Sequence, residues 1–190
     1  MYELQFDGLF RRIGENTKTG VMAYGWLVYH QGVMVARGYG VVAGRAEATS
    51  NVAEYLALIE GLQALLDMGL QDEAILVSGD SKIVISQMNG TARIHAERMQ
   101  ELFAQAAGLA ALLDNVEYEW RKRSKNKAAD NLTRHALKQA RKNHRDYERI
   151  IQELIARGGK FQRRSRSLTD NFLPLINLSV FQPAGLAVIQ

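Results

Sequence analysis

With 190 residues, 47% of them hydrophobic, the chain has enough material for one domain with its own core plus an appendage. It contains no cysteine, which excludes disulfides and thiolate metal sites and leaves oxygen or histidine as metal ligands; no segment reaches the roughly 20 apolar residues of a membrane span, so a cytoplasmic chain with no membrane partner is expected. The net charge of +4 is unevenly placed: residues 1–119 carry 8 Lys/Arg against 15 Asp/Glu, while residues 120–190 carry 16 against 5, as suits separate places for metal cations and for a polyanion.

In chain order, apolar residues alternate along Tyr2–Phe10 as in a strand, with Asp7 in its middle. A polar turn, Gly14 to Gly20, leads to two further strands, Val21–His30 and Gly32–Val42, joined at Gln31-Gly32 as an antiparallel meander. Gly25, Gly38 and Gly40 within them predict bulges or close backbone approach. From Asn51 the period becomes helical through Val52, Tyr55, Ile59, Leu62 and Leu66, with Thr49 or Ser50 as the N-cap and Gly69 at the C-terminal end. The apolar run Ala74–Gly79 is a buried strand ending at Asp80, and strand, helix, strand implies a parallel crossover. Ser81–Met88 is a short helix and Ile94–Leu113 a second; Val116–Trp120 is a fifth strand. One long final helix is predicted from about Asn126 to Gly158-Gly159, its Arg- and Lys-rich far half projecting from the body. The tail begins basic, at Arg163-Arg164-Ser165-Arg166, and ends apolar, from Phe172 to Ile189.

Four carboxylates stand out. Asp7 lies mid-strand, where burial without a partner is costly, and Asp80 sits at the carboxyl end of a parallel strand, where α/β folds place ligands. Glu54 and Asp130 lie in the first turns of helices. Singly, Glu54 reads as a solvated acid, Asp80 as a cap and Asp130 as an acid favoured by the helix dipole. Together they point to a divalent-metal site for phosphodiester hydrolysis.

Phe6-Asp7-Gly8, Thr49-Ser50-Asn51-Val52-Ala53-Glu54, Gly79-Asp80-Ser81 and Arg123-Ser124-Lys125-Asn126-Lys127-Ala128-Ala129-Asp130 occur in that order. With these pieces the chain resembles the type 1 ribonuclease H family, in the branch with arginine in place of a loop histidine. The resemblance implies an α/β fold of ribonuclease H type over residues 1–140, a five-stranded mixed sheet flanked by helices, followed by a basic helical extension and tail over 141–190. It implies cleavage of the RNA strand of RNA/DNA hybrids with two Mg²⁺ ions, or Mn²⁺, leaving 5′-phosphate and 3′-hydroxyl ends. Asp7 would bridge both ions, Glu54 and Asp80 would serve the leaving 3′-oxygen, and Asp130 would hold the ion that activates water. Thr49, Asn51, Asn126 and Arg123 would meet nucleic acid, Asn51 through the ribose 2′-hydroxyl and Arg123 as a phosphate-facing cation.

The chain departs from the family in three ways. It lacks the Asn-Pro-Gly of the usual first turn, none of His30, His95, His135 and His144 falls in the loop before Asp130, and no basic helix is inserted between Ser81 and Val116. The basic extension is expected to compensate by gripping other duplex nucleic acid. The rival readings are a non-catalytic nucleic-acid-binding module and a DNA nuclease on the same fold.

Overall fold

Residues 1–13, 19–44, 48–142, 144–156 and 172–181 are described by the structure, a computed structural model. Period-two alternation sends the side chains of β1 (Tyr2–Arg12), β2 (Gly20–His30) and β3 (Val33–Gly44) to opposite faces of an antiparallel meander. The expected turn is present: Gln31 and Gly32 both take positive φ, 52° and 78°, as a two-residue hairpin requires. Gly38 and Gly40 lie opposite Trp26 and Tyr24, whose rings occupy the space a Cβ would need, so these glycines mark close approach. The one irregularity in the β2–β3 ladder falls instead between Val28 and Tyr29.

Helix α1 (Ser50–Asp67) opens on Thr49, whose hydroxyl accepts from the Val52 amide, and crosses over to β4 (Ala74–Gly79), which pairs parallel with β1. Two further helices, α2 (Lys82–Met88) and α3 (Glu97–Ala110), lead to β5 (Asn115–Trp120), parallel to β4. A 3₁₀ turn at Arg123–Lys125 precedes α4 (Lys127–Lys142). The five expected strands form a mixed sheet, and β6 (Phe172–Phe181) pairs antiparallel with β3 to give the order β5-β4-β1-β2-β3-β6. Its Pro174 is tolerated because β6 is the sheet's edge, and the ladder shifts register beside it.

Central strand β2 is buried on both faces. Met22, Tyr24, Trp26 and Val28 join Leu4, Phe6, Leu58 and Leu62 in the main core beneath α1, while Val21 and Ala23 meet Ala136, Leu137 and Ala140 of α4 on the other face. The expected projecting helix is corrected here. The segment forms two helices, α4 and α5 (His144–Ala156), and α5 packs against β3. Ile150, 7% exposed, lies on Ala43, and Tyr147 and Ile151 close the cluster under α4, because an apolar stripe gains more by covering a sheet face than by facing water. The expected stop at Gly158-Gly159 and the basic run at 163–166 lie outside the described residues. The boundary expected at residue 140 falls near the end of α4, which runs to Lys142.

Ile150→Ala is expected to destabilise the protein by about 2 kcal/mol through loss of buried methylenes. A shift of under about 0.5 kcal/mol in denaturant unfolding would instead indicate an exposed, undocked helix.

Candidate active site

Three elements bring carboxylates to one end of the sheet. Phe6 pairs with Gly79 across the parallel β1–β4 ladder, so the residues that follow, Asp7 and Asp80, emerge side by side. Helix α1 brings in Glu54 from one face, and Gly8 admits it: a Cβ there would stand 2.2 Å from the Glu54 nitrogen and 2.3 Å from the Ala53 carbonyl carbon. The Gly8 amide then donates to Glu54 Oε2 at 3.0 Å. Asp7, Glu54 and Asp80 each offer an oxygen within 4.8 Å of the others, and the first two are 2% and 8% exposed.

From the other face α4 supplies Thr133, fully buried, whose hydroxyl lies 3.0 Å from Asp7 Oδ2 and 2.8 Å from the Asp130 carbonyl oxygen. Thr133 was missed in the sequence, although its position one turn after Asp130 puts it on the same helix face. Asn126 makes contacts within the protein itself. Expected against nucleic acid, it is fully buried, and its Nδ2 donates to the Phe6 carbonyl at 2.8 Å and reaches Asp80 Oδ1 at 3.4 Å. It ties the start of α4 to β1 and to the cluster. Thr49 caps α1 while Asn51 is exposed in its first turn.

Asp130 stands apart from the three-acid group. Arg123 Nη2 meets its Oδ1 at 2.6 Å and Arg134 Nε its Oδ2 at 2.7 Å. These hydrogen bonds, Arg134's foremost, hold the Asp130 carboxyl below its usual range. The cluster behaves oppositely. Burial, then the charge of Asp80, pushes Asp7 up to about 6; burial, then Asp7 and Asp80, raises Glu54 well above the usual carboxylate range. Among the described residues neither Asp7 nor Glu54 forms an ion pair; a hydroxyl and an amide are their hydrogen-bond donors. An all-oxygen, under-neutralised donor set fits a hard divalent cation.

Residues 7–136 match the family model described as reverse transcriptase-like. Ribonuclease HI of Halobacterium salinarum is 36% identical over 136 residues, covering 71% of this chain and 63% of its own, and a bifunctional protein of Mycobacterium tuberculosis is 35% identical over 127 residues, covering 65% and 33%. The solved RNase H1 of Halobacterium salinarum superposes with a TM-score of 0.63 at 30% identity, covering 73% of this chain and 98% of that one. This chain belongs to the type 1 ribonuclease H family. The chain spans a third of the mycobacterial relative's length and 63% of the halobacterial one's. An LC11-RNase H1 solved in complex with RNA/DNA hybrid superposes with a TM-score of 0.64 at 26% identity, covering 74% of this chain and 99% of that one. Ribonucleases H of this family are metal-dependent, and the acidic cluster is where this chain can hold a cation. Among the described residues no helix is long and apolar enough to cross a membrane.

The cluster makes metal-free stability depend on pH. Asp7 has a folded pKa near 6 against about 3.9 unfolded, so the folded state binds more protons between these values. Stability is therefore greatest below that window and falls as pH rises through about 6, by on the order of 3 kcal/mol, with Glu54 acting in the same direction. In chelator, the protein is expected to melt higher at pH 5 than at pH 7, and Asp7→Asn to reduce the difference, leaving the part that comes from Glu54. Melting curves that rise with pH across this window in both proteins would contradict the cluster's electrostatics.

Proposed function

We propose that the protein is a metal-dependent endoribonuclease that hydrolyses the RNA strand of RNA/DNA hybrids, leaving 5′-phosphate and 3′-hydroxyl ends, with two Mg²⁺ ions or Mn²⁺ in their place. The observation that carries this reading is the convergence of Asp7, Glu54 and Asp80 oxygens within 4.8 Å at the end of the sheet, in a chain of this family. Asp7, Glu54, Asp80 and Asp130 would hold the ions. When bound, divalent ions supply Lewis-acid charge at the scissile phosphate and lower the pKa of a water.

The chain's own residues orient these groups. Thr133 fixes the Asp7 carboxylate, the Gly8 amide fixes Glu54, and Asn126 holds the Asp80 side of the cluster to β1. Arg123, its side chain 65% exposed while bonded to Asp130, would meet a phosphate in this reading. Asn51 is exposed beside Glu54, where a ribose 2′-hydroxyl could be read. In this reading the Arg- and Lys-rich segment 141–190 supplies further duplex contacts. A binding module on the same fold is less favoured, since it gains nothing from carboxylates whose mutual repulsion weakens the empty protein.

The deciding experiment incubates the protein with labelled hybrid, double-stranded RNA and double-stranded DNA, each with Mg²⁺, Mn²⁺ or chelator. Cleavage confined to the RNA strand of the hybrid and lost in chelator supports the reading; cleavage of double-stranded DNA alone overturns it. Asp80→Asn is expected to abolish cleavage while the protein still folds, binds hybrid and, without metal, melts no lower than the parent. Near-normal turnover by that variant would remove Asp80 from the site. Arg123→Ala is expected to slow turnover with metal affinity nearly unchanged, because Arg134 still holds Asp130. A metal affinity shifted more than about tenfold in titration calorimetry, roughly 1.4 kcal/mol, would instead make Arg123 a determinant of the metal site.

A further inference from the structure

Beside Asp130, a groove of about 400 Å³ runs between the end of β1 and the outer side of α4, a volume typical of ligand clefts. It is lined by apolar Leu9, Phe10 and Leu137 and by Arg11, Arg134, Lys138 and Arg141. The three α4 cations stand at positions i, i+4 and i+7, one stripe of the helix, where like charges disfavour one another. Dipole compensation accounts for Arg141, in the last turn, but not for Arg134 or Lys138. Among the described residues Arg11, Lys138 and Arg141 pair with no carboxylate, and all three are exposed. Arg134 reaches out of the groove to Asp130 and so joins it to the active centre. A concentration of unpaired cations at the rim of a site for phosphodiesters is complementary to a polyanionic backbone running past that site.

We propose that this groove seats the phosphate backbone of the nucleic acid flanking the scissile bond, with Arg11, Lys138 and Arg141 as its contacts and Arg134 shared between that backbone and Asp130. The inference rests on the nuclease reading and adds to it a side of the substrate that the enzyme holds. The contacts are to phosphates, so they fix the position of the duplex without reading its sequence.

The test measures hybrid binding in chelator, across about 50 to 200 mM salt, for the parent and for a triple variant, Arg11→Gln, Lys138→Gln and Arg141→Gln. Each phosphate contact contributes a slope of about 0.9 in log affinity against log salt, or about a 3.5-fold change over that range. The triple variant is expected to lose two to three such contacts, flattening the slope by about 2 to 3, with an unchanged melting temperature. Arg12→Gln, next to Arg11 but outside the groove, serves as the control and should change the slope by less than any groove variant. If the triple variant does not fold, single Arg11→Gln and Arg141→Gln carry the test, each expected to lower the slope by about 0.9. A folded variant with the parent's slope, a slope lost equally in Arg12→Gln, or a parent that does not bind the duplex overturns the groove. Cleavage by the parent with Mg²⁺ is assayed alongside: binding without cleavage sinks the nuclease reading, and the slopes still decide the groove.

Discussion

Three carboxylates crowded within 4.8 Å, two of them buried, are the constraint to which the rest of this structure answers. Their desolvation and mutual repulsion work against folding, so the surrounding elements must hold them without cancelling their charge. The partners chosen are neutral donors: the Gly8 amide for Glu54, the Thr133 hydroxyl for Asp7, the Asn126 amide for Asp80. An arginine at any of these positions would stabilise the empty protein more, and would also occupy the place of the cation. Stability has been given up locally for a site that stays negative.

The backbone makes the crowding possible through two glycines around one aspartate. Gly8 follows Asp7 and lets α1 settle directly on β1; Gly25 is paired with Asp7 across the β1–β2 ladder, and a Cβ there would stand 3.1 Å from the Leu132 Cβ of α4. Helices thus close on Asp7 from both faces of the sheet, each bringing one polar side chain to it or beside it, Glu54 from α1 and Thr133 from α4. The parallel pairing of β1 with β4 adds Asp80 at the strand ends. Sequence-distant residues meet because the sheet fixes a register and small residues let the flanking layers close on it.

How much of this could be read from the sequence depends on whether the information was local. The five strands and α1 were legible because alternation and a 3.6-residue period are local signals, and Asp7 stood out as a costly mid-strand charge. The docking of α5 was not: Tyr147 and Ile151 mark an apolar stripe, but periodicity does not say which surface covers it, and here that is β3. Nor was β6, whose partner lies far back in the chain and whose Pro174 argues against a strand except at an edge. The bonds Asn126 makes to β1 and Asp80 were not legible either, since a polar residue in a motif looks the same whether it faces a ligand or secures a strand. The amide's burial, and Thr133's part beside it, follow only from how α4 packs.

The separation of charge along the sequence becomes a juxtaposition in space. The acidic first part supplies Asp7, Glu54 and Asp80, while the basic last part begins next to them: Asp130 between two guanidiniums leaves that corner of the site with one net positive charge. In the proposed reading, a nucleic-acid backbone approaching the metal-free site head-on meets the acidic cluster, whereas along α4 it meets Arg134, Lys138 and Arg141. The field therefore favours one direction of approach, over the helix that also carries Asp130, and it does so before any cation has neutralised the acids. Cation binding then removes the barrier at the centre that the flanking arginines and lysine leave in place. In the proposed reading each half of the charge pattern needs the other: the cluster alone would turn a nucleic acid away, and the basic face alone would hold a duplex with nothing to cut it.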